Sequence, residues 1–208
     1  RKKQVNSSMA HTKRVAITGH TRGIGKHLVE RLEAQGIEVM GFSKSNGYNI
    51  MKESTCKRIV KEALEWKADI FINNAYAPGS QVRLLYLFYE AWENKPRQII
   101  NLGATSSDSI HNFSQMGYNK DWTPYVSDKA RLDWASLQLA NQFRKGKCRV
   151  TNIKPGLVDT DSTAWLKDYA EDYMMTADSV AEMLEWIVGL NNQVQVRSLS
   201  FDVGNIQQ

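Results

Sequence analysis

The chain has 208 residues, enough for one domain with a substantial core, and 42% of them are hydrophobic, as in ordinary globular proteins. The net charge of +5 is spread along the chain, which argues against nucleic-acid binding and favours a solvated surface suited to an anionic cofactor. The two cysteines lack metal-ligand spacing and no apolar run could cross a bilayer. We therefore expect a cytoplasmic protein without a disulfide framework, metal site or membrane partner.

The basic run Arg1-Lys2-Lys3 opens a polar segment that ends before Met9. We expect residues 1–8 to be a disordered leader or a cloning remnant, and residues 9–208 to form a single domain.

Short apolar runs alternate with helix-like segments along the whole chain. In the first half, the predicted elements are a strand at Val15–Thr18, a helix at Lys26–Gln35, a strand at Ile37–Phe42, a helix at Ser54–Trp66, a strand at Ile70–Asn73 and a helix at Leu84–Asn94. In the second half, they are a strand at Gln98–Gly103, a helix at Tyr125–Arg144, a strand at Arg149–Ile153, a helix at Ser179–Leu190 and a strand at Arg197–Val203. Strands separated by helix-length crossovers predict an α/β fold, a Rossmann-type doubly wound parallel sheet with helices on both faces and its ligand at the carboxyl ends of the strands.

A glycine-rich segment, Thr18-Gly19-His20-Thr21-Arg22-Gly23-Ile24-Gly25, joins the first strand to its helix. Such a turn lets the backbone approach a diphosphate, and the helix N-terminus offers free N–H groups and a positive dipole end. The spacing Gly-x-x-x-Gly-x-Gly differs from that of most dinucleotide enzymes, and this difference restricts the families of dinucleotide-binding proteins that the chain could resemble. The alternative is a tight turn with chance glycines.

Tyr125 and Lys129 lie four positions apart, on one face of the predicted helix. A lysine charge about 4 Å from a phenol, at an effective dielectric near 20, stabilises the phenolate by roughly 4 kcal/mol, or about three pKa units. We therefore expect a tyrosine with a lowered pKa that exchanges a proton with an alcohol or carbonyl oxygen. The alternative is an ordinary amphipathic helix with a surface lysine.

From about Lys13 to Asn205 the chain resembles the short-chain dehydrogenase/reductases. Four motifs carry the resemblance, in order: Thr18-Gly19-x-x-x-Gly23-Ile24-Gly25, Asn73-Asn74-Ala75, Tyr125-x-x-x-Lys129 and Pro155-Gly156-x-x-x-Thr160. The resemblance implies a nicotinamide cofactor, with Tyr125 as the acid/base and Lys129 holding the nicotinamide ribose. Asn73 and Ala75 would line the adenine-ribose side. The full expected cofactor set, which also includes residues argued from charge below, is Gly19, Thr21, Arg22, Gly23, Ile24, Gly25, Ser43, Lys44, Asn49, Asn73, Asn74, Ala75, Tyr125, Lys129, Pro155, Gly156, Val158 and Thr160. Without the other motifs, Asn73-Asn74 and Pro155-Gly156 could each be only a turn.

The cofactor choice follows from charge. No carboxylate occurs after the second strand, where an NAD enzyme usually binds the ribose hydroxyls. Arg22 and Lys44 are positioned to meet a 2′-phosphate, with Ser43 as a further donor, so we expect NADP(H). Asn49 is a candidate for the adenine. The alternative is that Arg22 and Lys44 are simply exposed charges.

The sequence departs from the family pattern at the expected catalytic serine, where Ala104 stands instead. Loss of such a donor costs on the order of 100- to 1000-fold in rate. Ser106 is the first candidate to replace it, ahead of Ser107 and Thr105. The alternative is that Thr105-Ser106-Ser107 is only a polar loop and replaces no catalytic group.

Two further departures concern length. Only one helix fits before the fourth predicted strand where the family has room for two, and we assign no role to Gln81 near its start. The insert Asp108–Thr123, with His111, Phe113, Met116, Tyr118 and Trp122, either walls a substrate pocket or packs on itself. The short segment Asp161–Thr176 predicts a relatively open site.

The leading hypothesis is an NADP(H)-dependent oxidoreductase that interconverts a small-molecule carbonyl and a secondary alcohol. The alternative, favoured by Ala104, is a nucleotide-binding protein that has lost efficient turnover and serves as a sensor or scaffold. The helix around Leu84–Tyr89 is apolar nearly all round, which predicts a buried helix or an interface. Together with the tyrosine helix, it leads us to expect a homodimer or homotetramer.

Overall fold

The computed structural model describes residues 12–108, 121–142 and 147–204, with only the backbone of Tyr169. Several sequence-based expectations concern residues outside this described part. They are the leader 1–8, the insert residues His111, Phe113, Met116 and Tyr118, the helix end at Arg144 and the end of the resemblance at Asn205.

Strands and helices alternate along the chain. Their bounds are β1 Arg14–Thr18, α1 Gly23–Ala34, β2 Glu38–Phe42, α2 Glu53–Glu65, β3 Ile70–Asn73, α3 Ser80–Trp92, β4 Gln98–Leu102, α4 Thr123–Asn141, β5 Arg149–Pro155, β6 Val158–Asp159, α5 Lys167–Ala170, β7 Met175–Thr176, α6 Ala177–Gly189 and β8 Ser198–Phe201. Six strands form one parallel sheet in the order β2-β1-β3-β4-β5-β8, and β6 pairs with β7 beside it.

The sheet is covered on both faces because neighbouring residues of each strand point to opposite sides. In β1, Ala16 belongs to a core shared with α2, α3 and α4, whereas Val15 and Ile17 belong to a second core shared with α1 and α6. This arrangement confirms the predicted Rossmann-type doubly wound sheet.

The predicted strands and helices all occur, with small differences in their bounds. The largest is at α3, which begins at Ser80, four residues before the predicted start. Gly79 adopts a left-handed φ of +69°, and the Ser80 hydroxyl donates to the Ala77 carbonyl at 2.7 Å. This local turn starts the helix before its apolar run begins. The short elements β6, α5 and β7 were not predicted.

Within the described ranges, no helix is both long enough and apolar enough to cross a membrane.

Candidate active site

The four sequence motifs converge at one edge of the sheet. The glycine-rich segment follows β1, Asn73-Asn74-Ala75 ends β3, and Pro155-Gly156 ends β5. Because the strands are parallel, their carboxyl ends meet at the same edge, which is where open α/β sheets bind ligands.

The glycine-rich segment has the geometry of a phosphate-binding turn. Gly19 and Gly23 have φ values of +73° and +53°, which glycine adopts without strain. A Cβ on Gly25 would lie 2.1 Å from the Gly19 carbonyl oxygen, so helix α1 starts in direct backbone contact with the turn. The glycines therefore leave the N-terminus of α1 free of side-chain cover.

Asn74 and Ala75 hold this turn against the end of β3. The Asn74 amide donates to the carbonyls of Thr18 and Gly19 at 2.9 and 3.2 Å, and the Ala75 backbone N–H donates to the Thr18 hydroxyl at 3.0 Å. The structure thus brings together two motifs separated by more than fifty residues.

The segment after β5 reaches the same turn from the other side. The Thr160 methyl lies 3.5 Å from the position that a Cβ on Gly23 would occupy. A Cβ on Gly156 would lie 2.1 Å from the carboxylate of the exposed Asp202, so that side chain would have to move to make room for it. Val158 is buried in β6.

These residues fit a nicotinamide dinucleotide. The test is the cradle at Gly19, Gly23 and Gly25, where bare backbone and free helix N–H groups suit a diphosphate. Arg22 and Lys44 are both exposed.

Two predicted adenosine-side residues have partners within the protein. The Ser43 hydroxyl bonds to Ser45 at 2.8 Å and to Asn46 at 3.1 Å, which caps the turn after β2. Asn49 is half-buried, and its side-chain oxygen accepts from the Met51 backbone N–H at 3.2 Å. A contact of either side chain with a cofactor would be made alongside these bonds or in their place.

The Lys129 ammonium is buried at the carboxyl ends of β3 and β4. Its residue is 4% exposed, and Nζ donates to the Leu102 carbonyl at 2.7 Å and to Gln81 Oε1 at 2.9 Å. Burial lowers the pKa of Lys129 to about 7, although the nearby Asp128 carboxylate opposes the shift.

Tyr125 lies above this ammonium among other aromatic rings. Lys129 Nζ is 5.5 Å from the centre of the Tyr125 ring, and the Tyr76 ring meets Tyr125 edge-on at 5.0 Å between centroids. Burial, with a smaller effect from Tyr76, raises the pKa of Tyr125 to about 12. The shift is opposite to the lowering expected from the Tyr125/Lys129 spacing, because removal of the phenol from water disfavours its charged form.

Tyr76 and Asp128 are two site residues that the sequence analysis missed. The Tyr76 hydroxyl donates to an Asp128 carboxylate oxygen at 3.2 Å, and the Gly79 backbone N–H donates to the same oxygen at 2.9 Å. The Tyr76 ring also lies 5.4 Å from Lys129 Nζ. Tyr76 directly follows Asn73-Asn74-Ala75, and Asp128 lies inside the Tyr125-x-x-x-Lys129 motif, so adjacency to the motifs was the available signal.

Asn73 serves the scaffold. It is fully buried, and its side-chain amide donates to the Gln81 backbone carbonyl at 2.7 Å and to Asn101 Oδ1 at 2.9 Å. The Asn101 amide in turn donates to the Ser136 hydroxyl at 3.1 Å. A polar chain therefore runs under the site, and the Asn73 side-chain oxygen is buried with no hydrogen-bond partner among the residues that the structure describes.

The residues after Ala104 form a tight turn that lies against α4. The Ser107 hydroxyl donates to the Ala104 carbonyl at 2.8 Å and so closes the turn. The Ser106 hydroxyl oxygen is buried, with no hydrogen-bond partner among the residues that the structure describes. Within the described residues, Ser107 thus has a hydrogen-bond partner in the turn and Ser106 has none.

A pair of tryptophans joins the start of α4 to the segment before α5. Trp122 and Trp165 stack at 5.4 Å, and Trp122 also meets the Tyr125 ring edge-on at 5.8 Å. The rim of the site is therefore aromatic. No cluster of three potential metal ligands occurs in residues 12–108, 121–142 and 147–204.

Comparison with known proteins shows what the chain is similar to in sequence and in fold. The chain is 26% identical over 194 residues to the 3-oxoacyl-(acyl-carrier-protein) reductase FabG of Escherichia coli, covering 73% of this chain and 76% of that protein. For FabG of Buchnera aphidicola the identity is 24% over 189 residues, covering 73% and 75%. No protein-family model matches the chain.

Solved structures share the fold. A short chain dehydrogenase from Burkholderia cenocepacia in complex with NADP superposes with a TM-score of 0.71 at 19% identity, covering 91% of this chain and 96% of that one. The 3-alpha-hydroxysteroid dehydrogenase from a Pseudomonas species, complexed with NADH, gives a TM-score of 0.75 at 16% identity, covering 90% and 94%.

Fold and site together define a Rossmann-type protein built around a glycine-rich turn and a Tyr-x-x-x-Lys pair. The chain is similar in sequence to 3-oxoacyl-(acyl-carrier-protein) reductases and has the fold of solved short-chain dehydrogenases.

The buried Lys129 predicts a pH-dependent stability. Its pKa is lowered in the folded state from 10.5 to about 7, so between these values the unfolded chain binds more protons and stability rises with pH. The unfolding free energy of the wild type minus that of Lys129→Met should therefore rise between pH 7 and pH 9, by up to about 1 kcal/mol per pH unit. Urea unfolding of both proteins at each pH measures this difference in unfolding free energy.

Lys61→Met, which removes an exposed lysine of α2, supplies the control. A wild-type minus Lys129→Met difference that stays flat or falls over this range would contradict a lysine held with a lowered pKa.

Proposed function

We propose that this protein is an NADP(H)-dependent oxidoreductase that interconverts a carbonyl and a secondary alcohol, with Tyr125 as the acid/base. The observation that carries the proposal is the Tyr125 phenol above the Lys129 ammonium, at the sheet edge that also holds the glycine-rich turn. Similarity to a 3-oxoacyl-(acyl-carrier-protein) reductase and to dehydrogenases complexed with NADP or NADH supports it.

A bound nicotinamide supplies or accepts the hydride. In the reductive direction, the Tyr125 hydroxyl donates a proton to the substrate oxygen. Because burial raises its pKa to about 12, the phenol is protonated at neutral pH and ready to act as the acid. Lys129 contributes positive charge beneath the ring, which stabilises the phenolate left after transfer.

Ser106 is our candidate for the second hydrogen-bond donor to the substrate oxygen. Its buried, unpartnered hydroxyl in the described part of the chain supports this role. Ala104, in the position usual for the family's serine, has no side-chain donor, so the donor would come from two positions further along the turn.

Replacing Tyr125 tests the chemistry. Tyr125→Phe should lower NADPH oxidation across a panel of carbonyl compounds by at least about 100-fold, since it removes the proton donor and keeps the ring. Its NADPH affinity, measured by fluorescence titration, should stay within about twofold of wild type. Tyr86→Phe, on an exposed tyrosine of α3, is the matched control and should keep wild-type turnover.

If the wild type binds NADPH but shows no turnover that Tyr125→Phe can abolish, the oxidoreductase proposal fails. The protein would then be a nucleotide-binding sensor or scaffold.

The preference for NADP(H) rests on charge at the adenosine end. Arg22 and Lys44 are exposed, and the turn Ser43–Asn46 between β2 and α2 contains no carboxylate. Guanidinium and ammonium groups suit a 2′-phosphate, with Ser43 as a further donor and Asn49 toward the adenine.

Removing a positive charge at the adenosine end should weaken the binding of NADPH and leave the binding of NADH nearly unchanged. Arg22→Ala and Lys44→Ala should each weaken NADPH binding by about 10-fold or more, because each removes a charge-assisted hydrogen bond, while NADH binding changes little. Isothermal titration calorimetry measures the affinity of each variant and of the wild type for NADPH and for NADH. Lys26→Ala is the control, since Lys26 is an exposed cation of α1 at 3.8 Å from Glu30. Equal wild-type affinity for NADH and NADPH would refute the assignment.

The proposal includes a homodimer or homotetramer in the cytoplasm. Trp134 on α4 is 68% exposed and Tyr86 on α3 is 51% exposed, and the two helices pack side by side. Large aromatic side chains left in water on adjacent helices mark an interface. Cys56 and Cys148 are free, buried thiols, in keeping with a reducing compartment.

Trp134→Glu should convert the oligomer to a monomer, because it places a charge in the buried centre of the contact. Light scattering coupled to size exclusion measures the mass. Trp186→Glu, which alters a 51% exposed tryptophan of α6, should leave the mass unchanged. A wild type that is monomeric at micromolar concentration would overturn this part of the proposal.

A further inference from the structure

Gln81, at the start of α3, is a buried amide whose side chain bonds to three different groups. It is 4% exposed. Its Oε1 accepts from Lys129 Nζ at 2.9 Å, and its Nε2 donates to the carbonyls of Asn73 at 2.9 Å and Leu102 at 3.0 Å. One side chain therefore joins the ends of β3 and β4 to the lysine of α4.

These contacts define which way the amide faces. Two of the three partners are carbonyl oxygens, which need a donor, and the third is an ammonium, which needs an acceptor. A reversed amide would set a donor against Lys129 and an oxygen against both carbonyls. Glutamine satisfies all three partners, whereas methionine would satisfy none.

The contacts also close a ring around the ammonium. The Leu102 carbonyl accepts from Lys129 Nζ and from Gln81 Nε2, and Gln81 Oε1 accepts from the same Nζ. The ammonium thus has two acceptors, Gln81 Oε1 and the Leu102 carbonyl, and the Gln81 amide nitrogen donates to that same carbonyl. We propose that Gln81 is a positioning residue that holds the Lys129 ammonium beneath the rings of Tyr125 and Tyr76.

Among the residues that the structure describes, few other charged or titratable groups face this ammonium. Tyr125 and Asp128 approach from α4, and Tyr76 approaches from the loop after β3, with the two ring centres at 5.5 and 5.4 Å from Nζ. From α3 and β4 the partners are the neutral Gln81 side chain and the Leu102 carbonyl. Gln81 Oε1 is therefore one of the two hydrogen-bond acceptors that fix the position of the Lys129 ammonium.

The inference rests on the proposed function, in which Lys129 supports proton transfer by Tyr125. With Gln81 removed, the ammonium keeps only the Leu102 acceptor of the two. We expect its charged form to be less favoured and its position under Tyr125 to be less well defined.

The test measures Lys129 directly in the protein without cofactor. The NMR titration of its ¹³Cε signal, assigned by its loss in Lys129→Met, gives the midpoint. Gln81→Met should lower this midpoint by about one pH unit, because it removes an acceptor of the charged form. Gln81→Glu should raise it by a similar amount, because it adds a carboxylate at the same place. Shifts in opposite directions cannot come from loss of stability alone.

Gln98→Met is the matched control. Gln98, at the amino end of β4, is also a buried glutamine (3% exposed), and its side-chain oxygen accepts from the Arg149 guanidinium at 3.1 Å. It should lose stability as Gln81→Met does and leave the Lys129 midpoint unchanged. If the midpoint stays at the wild-type value in both Gln81 variants, the inference is wrong.

Steady-state kinetics provide a second measurement. Gln81→Met should lower kcat for carbonyl reduction about 10-fold with an unchanged KM for the carbonyl, whereas Gln98→Met should change neither. Shifted midpoints in a protein without wild-type turnover would support the positioning role and reject the proposed function. Unshifted midpoints in an active enzyme would reject the positioning role of Gln81 and support the proposed function.

Discussion

The burial of the Lys129 ammonium is the constraint on which the site depends. A cation removed from water must find acceptors inside the protein, and here they come from the Leu102 carbonyl of β4 and the Gln81 amide of α3. The charge thus ties α4, β4 and α3 together at a single atom. Asn73 extends the connection to β3 through its reciprocal hydrogen bonds with Gln81. The group that supports proton transfer in the proposed function therefore also joins four elements of the fold.

The same burial sets the proton states of the site. It lowers the pKa of Lys129 to about 7 and raises that of Tyr125 to about 12, so both shifts favour the neutral form. A Coulomb argument from the spacing of two residues has the opposite sign for the tyrosine, because it counts the lysine charge and omits the loss of water. The resulting protonated phenol suits an acid that acts on a carbonyl oxygen.

The two ends of the site are built differently. At the cofactor end the protein presents backbone, with side chains excluded at Gly19 and Gly25 and the turn fastened by Asn74. At the end proposed to meet the substrate it presents large rings, with Tyr125 set among other aromatic side chains. Backbone atoms suit a ligand part that many proteins share, whereas side chains can differ between enzymes that act on different substrates.

The sequence by itself determined the order and type of the elements, because apolar periodicity is local and is set by the face that each segment buries. It also determined the glycine-rich turn and the Tyr125/Lys129 pair, since both are patterns of near neighbours. Only the tertiary structure decided the partners of Lys129 and the direction of the tyrosine pKa. Gln81 lies 48 residues from Lys129, and Tyr76 lies 52 residues from Asp128, so these contacts exist only once the strands are paired. Burial has the same origin, because it depends on every element packed around a group.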